Sequence, residues 1–166
     1  GYGKENLEAV KRASQFARDT SSTEDVLLNV VDVKGISDED AIVTLHPTSP
    51  FRSQDLIDRC IKLYLENDLD SVLSVEQKKI RLGKVDDEGR FIFLQDYSPY
   101  MHEVAPTAID ICAVYVTSVE YLKKTRFVIG ERSMAVEVGE FEALDINTPD
   151  DWSYAEFLLK EGKVKS

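Results

Sequence analysis

Three short stretches carry side chains that could do chemistry. His46-Pro47-Thr48-Ser49-Pro50-Phe51-Arg52 follows the apolar run Ala41-Ile42-Val43-Thr44-Leu45. Its prolines stiffen the backbone, so the hydroxyls of Thr48 and Ser49 and the following helix N-terminus can face a polar ligand, while Arg52 can meet a phosphate or carboxylate. A proline-stiffened loop that merely caps a helix uses the same residues. Asp145-Ile146-Asn147 ends the run Ala143-Leu144-Asp145-Ile146. Residues two apart on a strand share a face, so Asp145 and Asn147 would present two oxygens to a hard cation such as Mg²⁺, with waters and substrate phosphates completing the shell. Service to the adjacent helix start is the competing explanation. The third stretch holds Arg12, Asp19, Ser21 and Ser22 ahead of a helix. Free N–H groups and hydroxyls at such a start can bind an anion or the polar edge of a base, and capping alone also accounts for the serines.

These residues need elements to hold them. Ser21-Ser22-Thr23-Glu24 reads as a capping box with Ser21 as N-cap, followed by Val26, Leu27, Val30 and Val31 at helical spacing and Gly35 as terminator. Ala41–Leu45 and Ser71–Val75 read as strands buried on both faces. Between them a helix starts near Gln54, with Leu56, Ile57, Cys60, Ile61 and Tyr64 on one face. The order suggests parallel βα units. Arg81–Val85 and Arg90–Leu94 flank Asp86-Asp87-Glu88-Gly89 as a hairpin. Ile109–Val116 is the most apolar strand, Ser118–Lys124 a short helix and Met134–Val138 a further strand. Ala143–Ile146 reads as a strand end before a last helix with Thr148 as N-cap, Pro149 at N1 and Asp151 at N3; its buried face comprises Trp152, Ala155, Leu158 and Leu159. The class is α/β with an antiparallel insertion, and open α/β sheets bind ligands beyond the carboxyl ends of their strands.

The chain of 166 residues suits one domain spanning 1–166. Acidic residues outnumber basic ones 31 to 20, a net charge of −11, which argues against a general nucleic-acid or anionic-membrane surface. No apolar stretch approaches the ~20 residues of a membrane span, and no signal pattern opens the chain. Cys60 and Cys112 lack ligand spacing and read as buried thiols of a reducing compartment, so the expected location is cytoplasmic.

Taken in order, the segments resemble the acylneuraminate (CMP-sugar-acid) cytidylyltransferases. Leu45-His46-Pro47-Thr48-Ser49-Pro50-Phe51-Arg52 is similar to that family's LQPTSPLR loop, and Arg12 to Ser22 to its RPxxLAxDxxSS segment. Asp70 to Val75 resembles the strand entering its dimerisation insert, Ala113-Val114-Tyr115-Val116 the end of NGAIYI, and Asp145 to Asp151 with Ala155-Glu156 the closing DIDTxxDxxxAE. The resemblance implies a Rossmann-like nucleotidyltransferase, a three-layer sandwich with an antiparallel β dimerisation insert at about 76–116. It implies transfer of CMP from CTP to a sialic-acid-like sugar acid with release of pyrophosphate. Arg12, Asp19, Ser21, Ser22, His46, Thr48 and Ser49 would bind the nucleotide, Arg52 and Tyr115 the sugar acid, and Asp145 with Asn147 would hold Mg²⁺. A homodimer is expected, with no nucleic-acid or membrane partner.

Several positions depart from the family pattern. The glycine-rich GSKGxxxKN loop and first strand find no counterpart, so the fold is expected to be incomplete at its N-terminus and the isolated chain weak or inactive in transfer. His46 stands in place of Gln, Asn147 in place of the second metal Asp, and Ile111-Cys112 in place of Asn-Gly. The competing expectation is a non-catalytic, truncated relative: a dimeric domain that binds nucleotide or sugar, or pairs with partners.

Overall fold

The computed structural model describes residues 8–18 and 21–164. Four strands form the main sheet in the order β1-β5-β2-β6: β1 is Ala41–Leu45, β2 Ser71–Lys78, β5 Thr107–Ser118 and β6 Ser133–Glu137. Strand β5 runs antiparallel to both its neighbours, and β2 pairs parallel with β6. β1, β2 and β6 therefore point the same way with a reversed strand between two of them, so the expected parallel βα units are realised as a mixed sheet. β1 is half-buried at an edge of the described sheet, not covered on both faces.

Helix α2 (Gln54–Leu65) covers one face. Its Leu56 and Cys60 sit fully buried with Val72, Ala113, Val114, Val116 and Val136, and Ile57, Ile61 and Tyr64 pack around them. That is the stripe its spacing predicts, and burying a leucine of this kind contributes about 1.5–3 kcal/mol. Helix α1 (Thr23–Lys34) is capped by Ser22, whose hydroxyl accepts from the Asp25 N–H at 3.1 Å, not by Ser21. The helix starts one residue later than the capping box suggested and stops at Gly35 in a left-handed conformation (φ 62°). Helix α3 is Val119–Thr125.

Helix α4 (Pro149–Lys160) begins as its sequence predicts. The Thr148 hydroxyl accepts from the Asp151 N–H, and the Asp151 carboxylate accepts from the Thr148 hydroxyl and N–H and the Asn147 N–H. These bonds hold the Asp151 carboxyl below the usual carboxylate range. Its buried face is narrower than expected: Ala155 and Leu158 pack on Phe51, whereas Trp152 and Leu159 are exposed. Residues 143–146 form no strand but an irregular segment after a turn. One ladder-like bond survives, from the Ile146 N–H to the Thr48 carbonyl at 2.8 Å.

The insertion is a separate two-stranded hairpin, β3 (Gly83–Val85) with β4 (Phe91–Phe93). Its turn is tied by Asp86, whose carboxylate accepts from the N–H groups of Glu88 and Arg90 and from the Arg90 guanidinium. Gly89 supplies the left-handed residue (φ 80°). Arg81 anchors the base, donating to the carbonyls of Ser98 and Pro99 at 2.9 Å and lying over the Tyr97 ring. Phe91, Phe93, Leu94, Tyr97 and Tyr100 are all exposed on this insert.

Candidate active site

The register of the sheet brings three segments to one end. Leu45, at the end of β1, pairs with Val114, while Glu137, at the end of β6, pairs with Val75, which pairs in turn with Asp110. Between Asp110 and Tyr115 the β2–β5 register shifts, and Ile111, Cys112 and Ala113, which pair with neither neighbouring strand, bulge. Cys112 takes a left-handed backbone, φ 56°. Its N–H donates to Asp110 Oδ1 at 3.0 Å, and the Tyr115 hydroxyl donates to Asp110 Oδ2 at 2.7 Å and to Cys112 Sγ at 3.1 Å. Tyr115 is buried; that burial and these two partners raise its hydroxyl pKa well above the ordinary phenol. Tyr115, expected on the sugar-acid side, has its hydroxyl engaged within the wall by Asp110 and Cys112. Cys112 is half-buried and not the buried core thiol expected, whereas Cys60 is buried and its thiol is pushed up to about 11, chiefly by desolvation.

The loop after β1 closes against this bulge. One Arg52 guanidinium nitrogen donates to the carbonyls of His46, Ser49 (3.0 Å) and Ala113 (3.5 Å). Burial lowers the Arg52 pKa from its ordinary value. These three carbonyls tie Arg52 to its own loop through Nη1, and Nε and Nη2 take no part in them. Ser49 is fully buried, its hydroxyl without a partner among the described residues. Ser53 caps α2, and its N–H reaches Glu142 Oε1 at 3.1 Å.

Arg12, Ser21, Ser22 and His46 line one cleft of about 260 Å³, together with Thr44 and the apolar Val26, Leu27, Leu45 and Pro47. The His46 ring meets Tyr115 edge-on at 6.1 Å. Asp19 lies outside the described residues. Thr44 is a member the sequence reading passed over. Its signal was there: a lone hydroxyl in the otherwise apolar run Ala41–Leu45. Asp110 and Cys112 were missed because a bulge leaves no simple periodic trace.

The Ile146–Thr48 bond fastens the third segment beside the loop. Here Asn147 Nδ2 donates to Asp145 Oδ2 at 2.7 Å, so the two side chains expected to share a cation are bonded to each other. Asp145 Oδ1 is buried and has no hydrogen-bond partner among the described residues. Among the described residues no group of three His, Cys, Asp or Glu side chains could hold a metal. One orphaned carboxylate oxygen fits a Mg²⁺ that arrives with phosphates and keeps its waters, as this ion commonly does; it does not fit an ion held by protein alone.

No family model matches the chain. In fold it is similar to the 4-diphosphocytidyl-2C-methyl-D-erythritol synthase of Anaerococcus prevotii: TM-score 0.57, over 85% of this chain and 68% of the other, at 17% identity. The molecule therefore has a Rossmann-like α/β fold similar to that of this synthase. In sequence it is 24% identical over 160 residues to the CMP-N,N'-diacetyllegionaminic acid synthase of Legionella pneumophila, covering 90% of this chain and 67% of that protein. The chain thus resembles cytidylyltransferases in both sequence and fold. Among the described residues no helix is long and apolar enough to cross a membrane.

Proposed function

We propose that the chain binds a cytidine nucleotide in the cleft of Arg12, Ser21, Ser22 and His46 and serves the transfer of CMP from CTP to a sugar acid. The observation that carries this reading is the Ile146–Thr48 bond, which sets the Asp145 carboxylate beside the loop bordering that cleft. An acceptor hydroxyl oxygen would form the new bond to the α-phosphorus as the bond to the bridging oxygen of pyrophosphate breaks. The electron pair leaves with pyrophosphate, and the hydroxyl proton passes to solvent. Such a reaction asks for positioning and for charge neutralisation. Arg12 and the α1 N-terminus, with Ser21 and Ser22, would hold the nucleotide, and Thr48 would border its phosphates. Asp145 would hold Mg²⁺, whose chemistry is neutralisation of charge on phosphate oxygens. Arg52 and Tyr115 act on the acceptor side as positioning residues: one fixes the loop, the other the bulge.

The exposed aromatics of the insert support a twofold pairing with a second copy. A second reading, binding without transfer, draws on the engagement of Arg52 with carbonyls and of Asn147 with Asp145. Calorimetric titration with CMP and CTP, run beside pyrophosphate release with CTP, Mg²⁺ and a panel of nine-carbon sugar acids, separates the two. Turnover within the ordinary ~1–10³ s⁻¹ supports transfer. Binding without pyrophosphate supports the second reading, and absence of nucleotide binding overturns both.

A further inference from the structure

We propose that Thr44 reads the base: its hydroxyl hydrogen-bonds the polar edge of the heterocycle seated in the cleft, an inference that rests on the nucleotide reading above. Thr44 Oγ1 is buried and has no hydrogen-bond partner among the described residues. A hydroxyl in that state carries a desolvation penalty that a ligand's donor or acceptor can relieve. Its position is suited to that task. Thr44 lies directly opposite Tyr115 across the β1–β5 pairing, on the face where Tyr115 meets His46, and it lines the cleft with Arg12, Ser21 and Ser22. Val26, Leu27 and Pro47 add apolar wall to the same space. Apolar sides with a few convergent polar groups are what a flat heterocycle needs, its faces against carbon and its edge against hydrogen-bonding atoms. At about 260 Å³ the space suits a fragment of this size and not a whole nucleotide sugar. The phosphates would extend from it towards Thr48 and Asp145, which lie past the end of β1.

Threonine and valine have nearly the same shape, so Thr44→Val removes the hydroxyl and little else, and Thr44→Ser keeps it. The probes are CMP and inorganic tripolyphosphate, the second carrying phosphate without a base. The expected result is CMP binding about three- to tenfold weaker in Thr44→Val, the worth of one hydrogen bond, with tripolyphosphate unchanged and CMP binding recovered in Thr44→Ser. The ligand-free Thr44→Val protein should melt no lower than wild type, because its hydroxyl had no partner to lose. Equal CMP affinity in wild type and Thr44→Val overturns this inference and leaves the nucleotide reading standing. So does a parallel loss of tripolyphosphate binding, or a lowered melting temperature that marks the hydroxyl as structural. Failure of the wild type to bind CMP overturns both.

Discussion

Removing one oxygen atom tests whether the bulge at 111–113 is held by side chains. In Tyr115→Phe the ring still fills its buried site, but Asp110 Oδ2 loses a 2.7 Å donor and Cys112 Sγ a 3.1 Å one. A hydrogen bond to a carboxylate contributes roughly 1.5–3 kcal/mol. Asp110 is exposed, so water recovers part of that, and the bond to sulfur adds little; about 1.5 kcal/mol is the expected loss. For a domain of 150–250 residues each kcal/mol moves the midpoint by roughly 2–4 °C, which places the Phe variant about 3–6 °C below wild type. Thermal melts followed by circular dichroism, with urea titrations to confirm an unchanged slope, read this directly. The Tyr115 hydroxyl is held far above the ordinary phenol range, so the difference should be the same at pH 6 and pH 9. Asp110→Ala should cost more, because it also removes the acceptor of the Cys112 N–H, and the double variant little more than Asp110→Ala alone, because the bond shared with Tyr115 is already gone. A Phe variant that melts with wild type, or full additivity in the double variant, would refute the idea that this hydrogen bond holds the bulge.

Asp70 is buried against Arg132, whose side-chain bonds to it, joined by its backbone N–H, hold the carboxyl below the usual range. Its contribution is therefore complete above the unfolded value of about 3.9 and fades as pH falls through the lower folded value. Asp70→Asn should flatten the acid limb of stability against pH, as read by urea midpoints between pH 5 and pH 2, and an unchanged limb would count against the pair. Replacing Phe91 and Phe93 by Glu should convert the sedimentation profile from dimer to monomer at micromolar concentration; a wild type already monomeric there removes the dimer proposal. Asp145→Asn should abolish the part of CTP affinity that depends on Mg²⁺ while sparing CMP binding in its absence, and identical titrations of the two proteins would free Asp145 of that role. At Cys112, glycine should be as stable as cysteine or more so, and alanine less stable, since alanine keeps the left-handed strain of about 1–2 kcal/mol and loses the sulfur contact; alanine melting above glycine would contradict this.

Much of the architecture was legible because it rests on local rules. β1 falls on Ala41–Leu45 as its apolar run indicates, and the Thr148-Pro149-Asp151 start of α4 is visible from residue chemistry alone. The stripe of α2 follows from spacing. What escaped is non-local. An apolar five-residue run does not say whether its neighbours are parallel or antiparallel, and β5, long enough to pair on both sides, reverses the expected order. Residues 143–146 look like a strand because three of the four are apolar, yet Leu144 and Ile146 pack beside Phe51 and Ala155 and the segment gives a single bond to Thr48. At the site, position was legible and allegiance was not. Arg52 and Ser49 stand in the loop where a ligand would pass, but only the fold reveals that Ser49 is buried and that Arg52 Nη1 donates to the loop's own carbonyls.

That difference changes how the motif-like residues are to be weighed. The motif that Ala113-Val114-Tyr115-Val116 resembles carries a glycine at the position of Cys112, and the backbone explains why: φ is 56° there, a conformation open to glycine without cost. A cysteine is tolerated because Asp110 accepts its N–H and Tyr115 donates to its sulfur. Asp110 and Tyr115 thus do in this chain what a bare glycine does without help. The same bulge delivers the Ala113 carbonyl to Arg52, which in turn gathers the carbonyls of His46 and Ser49. Tyr115, Cys112, Asp110, Arg52 and Ser49 are thus joined in one chain of contacts across β5 and the loop. The groups that line the cleft are Arg12, Ser21, Ser22, His46 and Thr44, with Asp145 on the neighbouring segment. One guanidinium, three hydroxyls and an imidazole make a modest attraction for a triphosphate in a chain of net charge −11. The same set, with its hydroxyls and apolar walls, is better matched to the nucleoside end of a ligand. Discrimination by this chain should therefore show in the base first and in the phosphate count second.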